Sequence, residues 1–68
     1  MYDYPRLKDM RQDNGMNQAQ IADLLNTTQQ QYSKYENGIQ EIPVHHLITL
    51  AKLYKVSTDF LLGLTDEI

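Results

Sequence analysis

Residues 29–37 combine side chains that could read a nucleic acid. The segment carries amides, a hydroxyl and one ammonium group, contributed by Gln29, Gln30, Ser33, Lys34 and Asn37. Amides can form paired hydrogen bonds with base edges, and hydroxyl and ammonium groups can bind phosphate oxygens. These polar side chains therefore indicate a surface that binds a partner through hydrogen bonds.

The same segment is expected to form a short helix. Thr28 is a good N-cap residue, and Gly38 suits the left-handed conformation that often follows a helix. Tyr32 and Tyr35 are three positions apart and would anchor one side of the helix. Gln31 rotates away from the polar face, so it is a weaker candidate than its neighbours.

Two further helices are predicted before the polar segment. Pro5 fits the first turn of helix one, and Asn17 caps helix two with Gln20 in the capping-box position. Only residues 26–28 join helix two to the polar helix, so the two must cross steeply, as in a helix-turn-helix. The apolar stripe of helix two is expected to consist of Ile21, Leu24 and Leu25.

Two more helices are predicted after Gly38. Pro43 opens helix four, and Ser57 caps a short helix five that ends at Gly63. The stripe of helix four is expected to contain Val44, Leu47, Ile48, Ala51 and Tyr54, widened by Leu50 and Leu53. We therefore predict an all-α fold in one domain, residues 1–68, with a core at 5–64 and a tail at 65–68.

Several function classes are disfavoured by composition. The chain has no cysteine, and the adjacent His45 and His46 would point about 100° apart on a helix, so we expect no metal site. Ser33 and Ser57 have no base at catalytic spacing, and the glycines form no phosphate-binding loop, so we expect neither an enzyme nor a cofactor. Without a membrane-length apolar run or a signal peptide, a cytoplasmic protein is expected.

In their order and spacing, the sequence fragments resemble the Cro/C1-type (Xre-like) helix-turn-helix family, which includes lambdoid phage repressors. The similarity covers Arg6 to Leu64, and its main fragments are Arg6-Leu7-Lys8, Arg11, Gly15-Met16-Asn17-Gln18, Ile21-Ala22, Thr27-Thr28-Gln29-Gln30, Tyr35-Glu36-Asn37-Gly38, Leu50-Ala51 and the run from Val56 to Gly63. The resemblance implies a compact five-helix lambda-repressor-like DNA-binding domain. Its helix-turn-helix would be helices two and three, with helix three in the major groove.

The resemblance also implies a role for each site residue. Base reading is expected from Gln29, Gln30 and Lys34, with a phosphate as the alternative target of Lys34. Contacts with the DNA backbone are expected from Asn17, Gln18, Thr28, Ser33 and Asn37. A structural bridge between helices one and three is expected from Arg11 and Glu36.

The function expected from this resemblance is sequence-specific regulation of transcription. The protein would bind double-stranded DNA as a repressor, in a homodimer that uses residues 60–68 and recognises a pseudo-palindromic operator. A net charge of −3 counts against binding DNA by charge alone. Many relatives place Lys or Arg after the glycine, whereas Ile39-Gln40-Glu41 carries no cation. The alternative is an antitoxin or another protein-interaction module with the same fold.

Overall fold

The computed structural model describes residues 1–68 as five helices without a strand. The helices are α1 (Pro5–Asp13), α2 (Gln18–Leu24), α3 (Gln29–Glu36), α4 (Val44–Tyr54) and α5 (Thr58–Leu61). The predicted all-α fold and the order of its helices are confirmed. Every one of these helices is too short or too polar to cross a membrane.

The helix boundaries follow local capping signals. Asn17 Oδ1 accepts a hydrogen bond from the Gln20 backbone N–H, and Gln20 Oε1 accepts one from the Asn17 N–H, which completes the predicted capping box (2.8 Å each). At the start of α3, Thr28 Oγ1 accepts from the Gln31 N–H at 3.1 Å. Asn26 and Gly38 have φ angles of 56° and 72°, so a left-handed residue follows each of α2 and α3, and the one at Gly38 was predicted.

One apolar core holds the five helices together. Its twelve buried members are Leu7, Ile21, Ala22, Leu25, Tyr32, Tyr35, Ile42, Leu47, Leu50, Ala51, Tyr54 and Leu61. α3 packs against α1 and α2, while α5 packs against α1 and α4. Because α3 contributes two tyrosines to this core, its position is fixed by packing on its inner side.

The predicted apolar stripes are wrong at four positions. Leu24 of α2 and Val44, Ile48 and Leu53 of α4 are exposed, Val44 to 70 %. The buried residues of α4 are Leu47, Leu50, Ala51 and Tyr54. With about 100° between successive residues, Ile48 and Leu53 lie on either side of this buried row around the helix axis. Val44 lies in the first turn, beyond the core. Helical periodicity identified the helix but overestimated the width of its buried face.

Both ends of the chain are held against the helices. The Tyr2 N–H donates to the Gly38 carbonyl oxygen at 2.9 Å, and the Ile42 N–H donates to the Tyr4 hydroxyl at 3.1 Å. At the other end, Arg6 Nη1 donates to the carbonyl oxygens of Phe60 and Thr65. The segment before α1 therefore braces the loop after α3, and the expected tail is tied to α1.

Candidate nucleic-acid interface

The outer side of α3 presents a continuous polar face. Gln29, Gln30 and Lys34 are exposed, and their side chains make no hydrogen bond within the protein. Gln29 and Gln30 line a cleft together with Ser33 and with Gln18 at the start of α2, and no hydrophobic residue lines it. The structure thus brings together four of the residues that were expected at the interface, from two helices.

The first turn of α3 has free hydrogen-bond donors. The backbone N–H groups of Gln29 and Gln30 have no acceptor within the protein, as expected for the start of a helix. Thr28 and Asn17 use their side-chain oxygens as caps. The Thr28 hydroxyl hydrogen remains free to donate. Together with the helix dipole, these groups favour an anion at this end of α3.

Ser33 and Asn37 lie one turn apart near the end of α3 and bind each other. Asn37 Nδ2 donates to Ser33 Oγ at 3.1 Å. Asn37 is exposed, whereas Ser33 is half-buried. One amide hydrogen of Asn37 and the hydroxyl hydrogen of Ser33 are left for an external acceptor.

The inner side of α3 is aromatic. Tyr32 and Tyr35 are buried, and their rings meet edge to face with centroids 6.4 Å apart. Tyr35 also lies beside His46 of α4, at 6.0 Å between ring centroids. Edge-to-face packing is favourable for aromatic rings. The two tyrosines therefore fix the roll of α3 and keep its amides turned outward.

Arg11 and Glu36 form the ion pair that the resemblance implies. Arg11 Nε donates to Glu36 Oε2 at 2.7 Å, and Arg11 Nη2 donates to Glu36 Oε1 at 3.2 Å. Arg11 Nη1 donates to the Met16 carbonyl oxygen at 2.9 Å. The Arg11 and Glu36 side chains are only 10 % and 3 % exposed. One guanidinium thus ties α1 to the end of α3 and to the residue before the cap of α2.

The charges of this pair stabilise each other. Burial alone would raise the pKa of Glu36, but hydrogen bonds from Arg11 and Gln18, with the charge of Arg11, outweigh it and hold the pKa below its usual value. The hydrogen bond with Glu36 likewise raises the pKa of Arg11 against the effect of burial. Both groups therefore remain ionised at neutral pH.

Gln18 joins the buried pair to the exposed cleft. Its Nε2 donates to Glu36 Oε1 at 3.2 Å, while the same side chain lines the cleft beside Gln29. Sequence reasoning missed this bond, because it depends on the crossing of α2 and α3. The only signal in the sequence was that Gln18 and Glu36 both belong to the fragments that resemble the family.

Two buried tyrosine hydroxyls, those of Tyr32 and Tyr54, have no partner in regular hydrogen-bond geometry, but that of Tyr32 lies close enough to Glu36 to help hold the pKa of this carboxyl down. Burial, followed by the negative charge of Glu36, raises the pKa of Tyr54 to about 12. Burial likewise raises the pKa of Tyr32. Both hydroxyls therefore stay protonated, and that of Tyr54 carries the cost of an unmet hydrogen bond.

Gln31 faces away from the polar set, as the helical phase predicted. Its Nε2 is paired with Gln40 Oε1, so it binds the loop that follows α3. The Ile39 N–H donates to the Lys34 carbonyl oxygen at 2.9 Å and closes the end of the helix. This loop has no cation at residues 39–41, and Glu41 is exposed.

Few positive charges are free to meet a phosphate. Arg11 is buried with Glu36, and Arg6 is held by the tail, with its guanidinium carbon 4.0 Å from the Phe60 ring centroid. The four lysines are exposed, and Lys34 is the only cation on α3. Neutral donors therefore dominate the polar face.

Comparison with known proteins places these features in a family. Residues 7–61 match the model of the family described as Helix-turn-helix. The HTH-type transcriptional regulator ImmR of Bacillus subtilis (strain 168) is 41 % identical over 63 residues, which cover 93 % of this chain and 49 % of ImmR. An SPbeta prophage-derived uncharacterised HTH-type transcriptional regulator of the same organism, YonR, is 46 % identical over 57 residues, covering 84 % of this chain and 53 % of YonR.

Two further matches agree. The uncharacterised HTH-type transcriptional regulator YobD of Bacillus subtilis (strain 168) is 36 % identical over 62 residues, covering 91 % of this chain and 55 % of YobD. A transcriptional regulator from Listeria innocua has a crystal structure that matches with a TM-score of 0.82 at 30 % identity, covering 93 % of this chain and 59 % of that one. The chain spans about half the length of the curated relatives it matches. It belongs to the Cro/C1-type (Xre-like) helix-turn-helix family, a family of transcriptional regulators and not of enzymes.

Proposed function

We propose that the chain is a sequence-specific, double-stranded-DNA-binding regulator of transcription that acts as a repressor. The observation that carries this proposal is the exposed amide face of α3, where Gln29 and Gln30 line a polar cleft while Tyr32 and Tyr35 are buried behind them. Membership of a family of transcriptional regulators supports it. With DNA as the target, we expect the protein to act in the cytoplasm.

Base reading is assigned to Gln29, Gln30 and Lys34. A glutamine amide has one acceptor and two donor hydrogens, which match N6 and N7 of adenine in the major groove. Such a paired contact contributes about 1–3 kcal/mol of discrimination against the wrong base. Lys34 lies one turn further along α3 and is the ionic partner for a guanine edge or a phosphate.

Positioning on the DNA backbone is assigned to groups around that face. Asn17 and Thr28 cap the starts of α2 and α3, Gln18 lines the cleft, and Ser33 and Asn37 each retain a donor hydrogen. Contacts of this kind set the register of a protein on the duplex without reading its sequence. They are mostly neutral, so we expect affinity to fall only shallowly with salt.

We further propose that the protein binds as a homodimer. A helix-turn-helix dimer reads two half-sites about one helical turn apart, which doubles the weak contacts of a single copy. We place the dimer surface in residues 60–68, where Leu64 and Ile68 are exposed apolar side chains. Phe60 contributes less, because Arg6 covers one face of its ring.

Selection of bound duplexes from a random pool tests this function. We expect an enriched inverted repeat, bound with a shallow salt dependence and a stoichiometry of two chains per duplex in sedimentation. A scrambled duplex of the same length and composition is the control. Failure to enrich any sequence at low salt would overturn the proposal, and one chain per duplex would overturn the dimer.

A second candidate is a protein-interaction module, such as an antitoxin. It is favoured by the net charge of −3 together with the exposed side chains of Ile39 and Val44. In that case the amide face is incidental, and no duplex binds at any salt concentration. The same selection therefore separates the two functions.

A further inference from the structure

The buried carboxylate of Glu36 reaches the proposed DNA face through one side chain. Gln18 Nε2 donates to Glu36 Oε1 at 3.2 Å, and Gln18 shares its cleft with Gln29, Gln30 and Ser33. The Gln18 side chain is half-buried, and it contacts both the buried Glu36 carboxylate and the exposed cleft.

Glu36 itself cannot turn to follow Gln18. Its side chain is 3 % exposed, and both of its oxygens accept hydrogen bonds from Arg11. Arg11 is held in turn by the Met16 carbonyl oxygen at 2.9 Å. The carboxylate is therefore a fixed acceptor, and any group that binds it takes its orientation from it.

A fixed acceptor decides which way round the amide of Gln18 lies. An ionised carboxylate only accepts hydrogen bonds, so it must face the NH₂ group of Gln18 and not its carbonyl oxygen. A free surface glutamine can exchange the two ends of its amide by a half-turn. For Gln18 that half-turn would place its Oε1 against Glu36 Oε1, two acceptors with no hydrogen between them. The amide therefore keeps its orientation, with Oε1 and the second N–H left for the cleft.

We propose that Glu36 is a positioning residue for DNA recognition, because it fixes the Gln18 amide that lines the cleft beside Gln29. On DNA, the fixed Oε1 of Gln18 can accept one amide hydrogen of Gln29, whose side chain makes no hydrogen bond in the free protein. Gln29 then keeps its own oxygen and its other N–H for a base edge. This inference rests on the proposed DNA-binding function and adds to the structural role of the Arg11–Glu36 pair.

A double-mutant cycle between Glu36 and Gln18 tests the inference. The wild type, Glu36→Gln, Gln18→Ala and the double variant are compared by fluorescence anisotropy on the selected duplex, at a temperature where circular dichroism finds each folded. We expect Glu36→Gln to weaken binding about three- to ten-fold in the wild type, and by less than about two-fold when Gln18 is already alanine. Equal losses in both backgrounds would overturn the inference.

Lys34→Ala supplies the matched control. Lys34 lies on the same helix but makes no hydrogen bond or ion pair with Glu36, so Glu36→Gln should weaken DNA binding by the same factor with and without it. Loss of thermal stability on Glu36→Gln should be the same with and without Lys34, and slightly smaller in the Gln18→Ala background, which already lacks the hydrogen bond from Gln18 to Glu36. A purely structural role of Glu36 would move the melting temperature and would leave the coupling in DNA affinity at zero.

The free wild-type protein offers a second test that needs no Glu36 variant to fold. In NMR spectra, one side-chain amide hydrogen of Gln18 should shift downfield and exchange slowly relative to those of Gln29 and Gln30. Equivalent behaviour of all three glutamines would overturn the inference. If the wild type binds no duplex at all, both the proposed function and this inference fall, whereas binding without coupling removes the inference alone.

Discussion

On the outer side of α3, Gln29, Gln30 and Lys34 are exposed and make no side-chain hydrogen bond. On the inner side, one carboxylate accepts hydrogen bonds from Arg11 and Gln18, and two tyrosine rings are buried. One short helix therefore has a buried side whose groups pack and bond within the fold, and an exposed side whose amides bond to nothing in the protein. The contrast shows that the buried side holds the helix in place, while the outer amides take no part in that packing.

The largest effect should come from breaking the buried pair on the inner side. Glu36→Ala leaves the Arg11 guanidinium buried without its partner, which costs about 3–5 kcal/mol in the free energy of unfolding. We expect the melting temperature, followed by circular dichroism, to fall by tens of degrees, since ~1 kcal/mol shifts it by about 4–8 °C in so small a domain.

Asp66→Ala is the matched control for that change. It removes the partner of Arg6, but Asp66 is 98 % exposed, and exposed ion pairs contribute only about 0–1 kcal/mol. If both variants melt at the wild-type temperature, the buried Arg11–Glu36 pair contributes no more to the free energy of unfolding than the exposed pair does.

A smaller effect is expected at the end of α3. Gly38 has a φ of 72°, and a Cβ there would lie 1.9 Å from the Tyr2 carbonyl oxygen. Gly38→Ala should therefore cost the left-handed strain of about 1–2 kcal/mol and also displace the segment that braces the loop. Gly15→Ala, with a φ of 68° and open space around its Cβ, should cost the strain alone.

Chemical denaturation of the two glycine variants separates these contributions. A larger loss for Gly38→Ala is the expected result. Equal losses would mean that the contact of Tyr2 with Gly38 does not hold the end of the helix.

On α3, acid should reduce the stabilisation that comes from the inner side, where Glu36 is ionised. Because the pKa of Glu36 is below its ordinary value of 4.5 in the folded protein, its contribution to stability is full above that pH and is lost as the pH falls through the lower value. The difference in melting temperature between the wild type and Glu36→Gln should therefore shrink from about pH 7 to about pH 3. A difference that stays constant over this range would contradict an ionised Glu36. His46, whose pKa is lowered by burial and by His45, is present in both proteins and cancels.

The smallest effect is expected at a buried hydroxyl. Tyr54 OH has no hydrogen-bond partner, so Tyr54→Phe removes an unmet polar group without changing the shape of the ring. We expect the free energy of unfolding to change by less than about 0.5 kcal/mol, or to rise. A clear loss of stability would reveal a hydrogen bond to that hydroxyl in solution.

Local signals in the sequence were enough to place most helix boundaries. Asn17, Thr28 and Ser57 accept the capping hydrogen bonds that were predicted, because a cap depends on residues only three positions away. The family resemblance supplied the pair of Arg11 with Glu36, which lies 25 residues apart in sequence and has no local signal.

Features set by the packing angle of helices could not be predicted. The bond from Gln18 to Glu36 depends on how α2 crosses α3, and the contact of Tyr2 with Gly38 depends on where the chain enters α1. The exposure of Val44 and Ile48 depends on where the core of a small domain ends, which periodicity does not record. The base-reading roles of Gln29, Gln30 and Lys34 stay predictions until a duplex is bound.

Base reading by the outer side of α3 is tested by the base preference of Gln29→Ala. Binding of the wild type and of the variant is measured across a half-site of the selected duplex, with each position changed in turn, after circular dichroism has shown equal melting temperatures. We expect the variant to lose about 1–3 kcal/mol of discrimination at one base pair and to keep the preferences at the others. Unaltered preference at every position would contradict the assignment of the outer side of α3 to base reading.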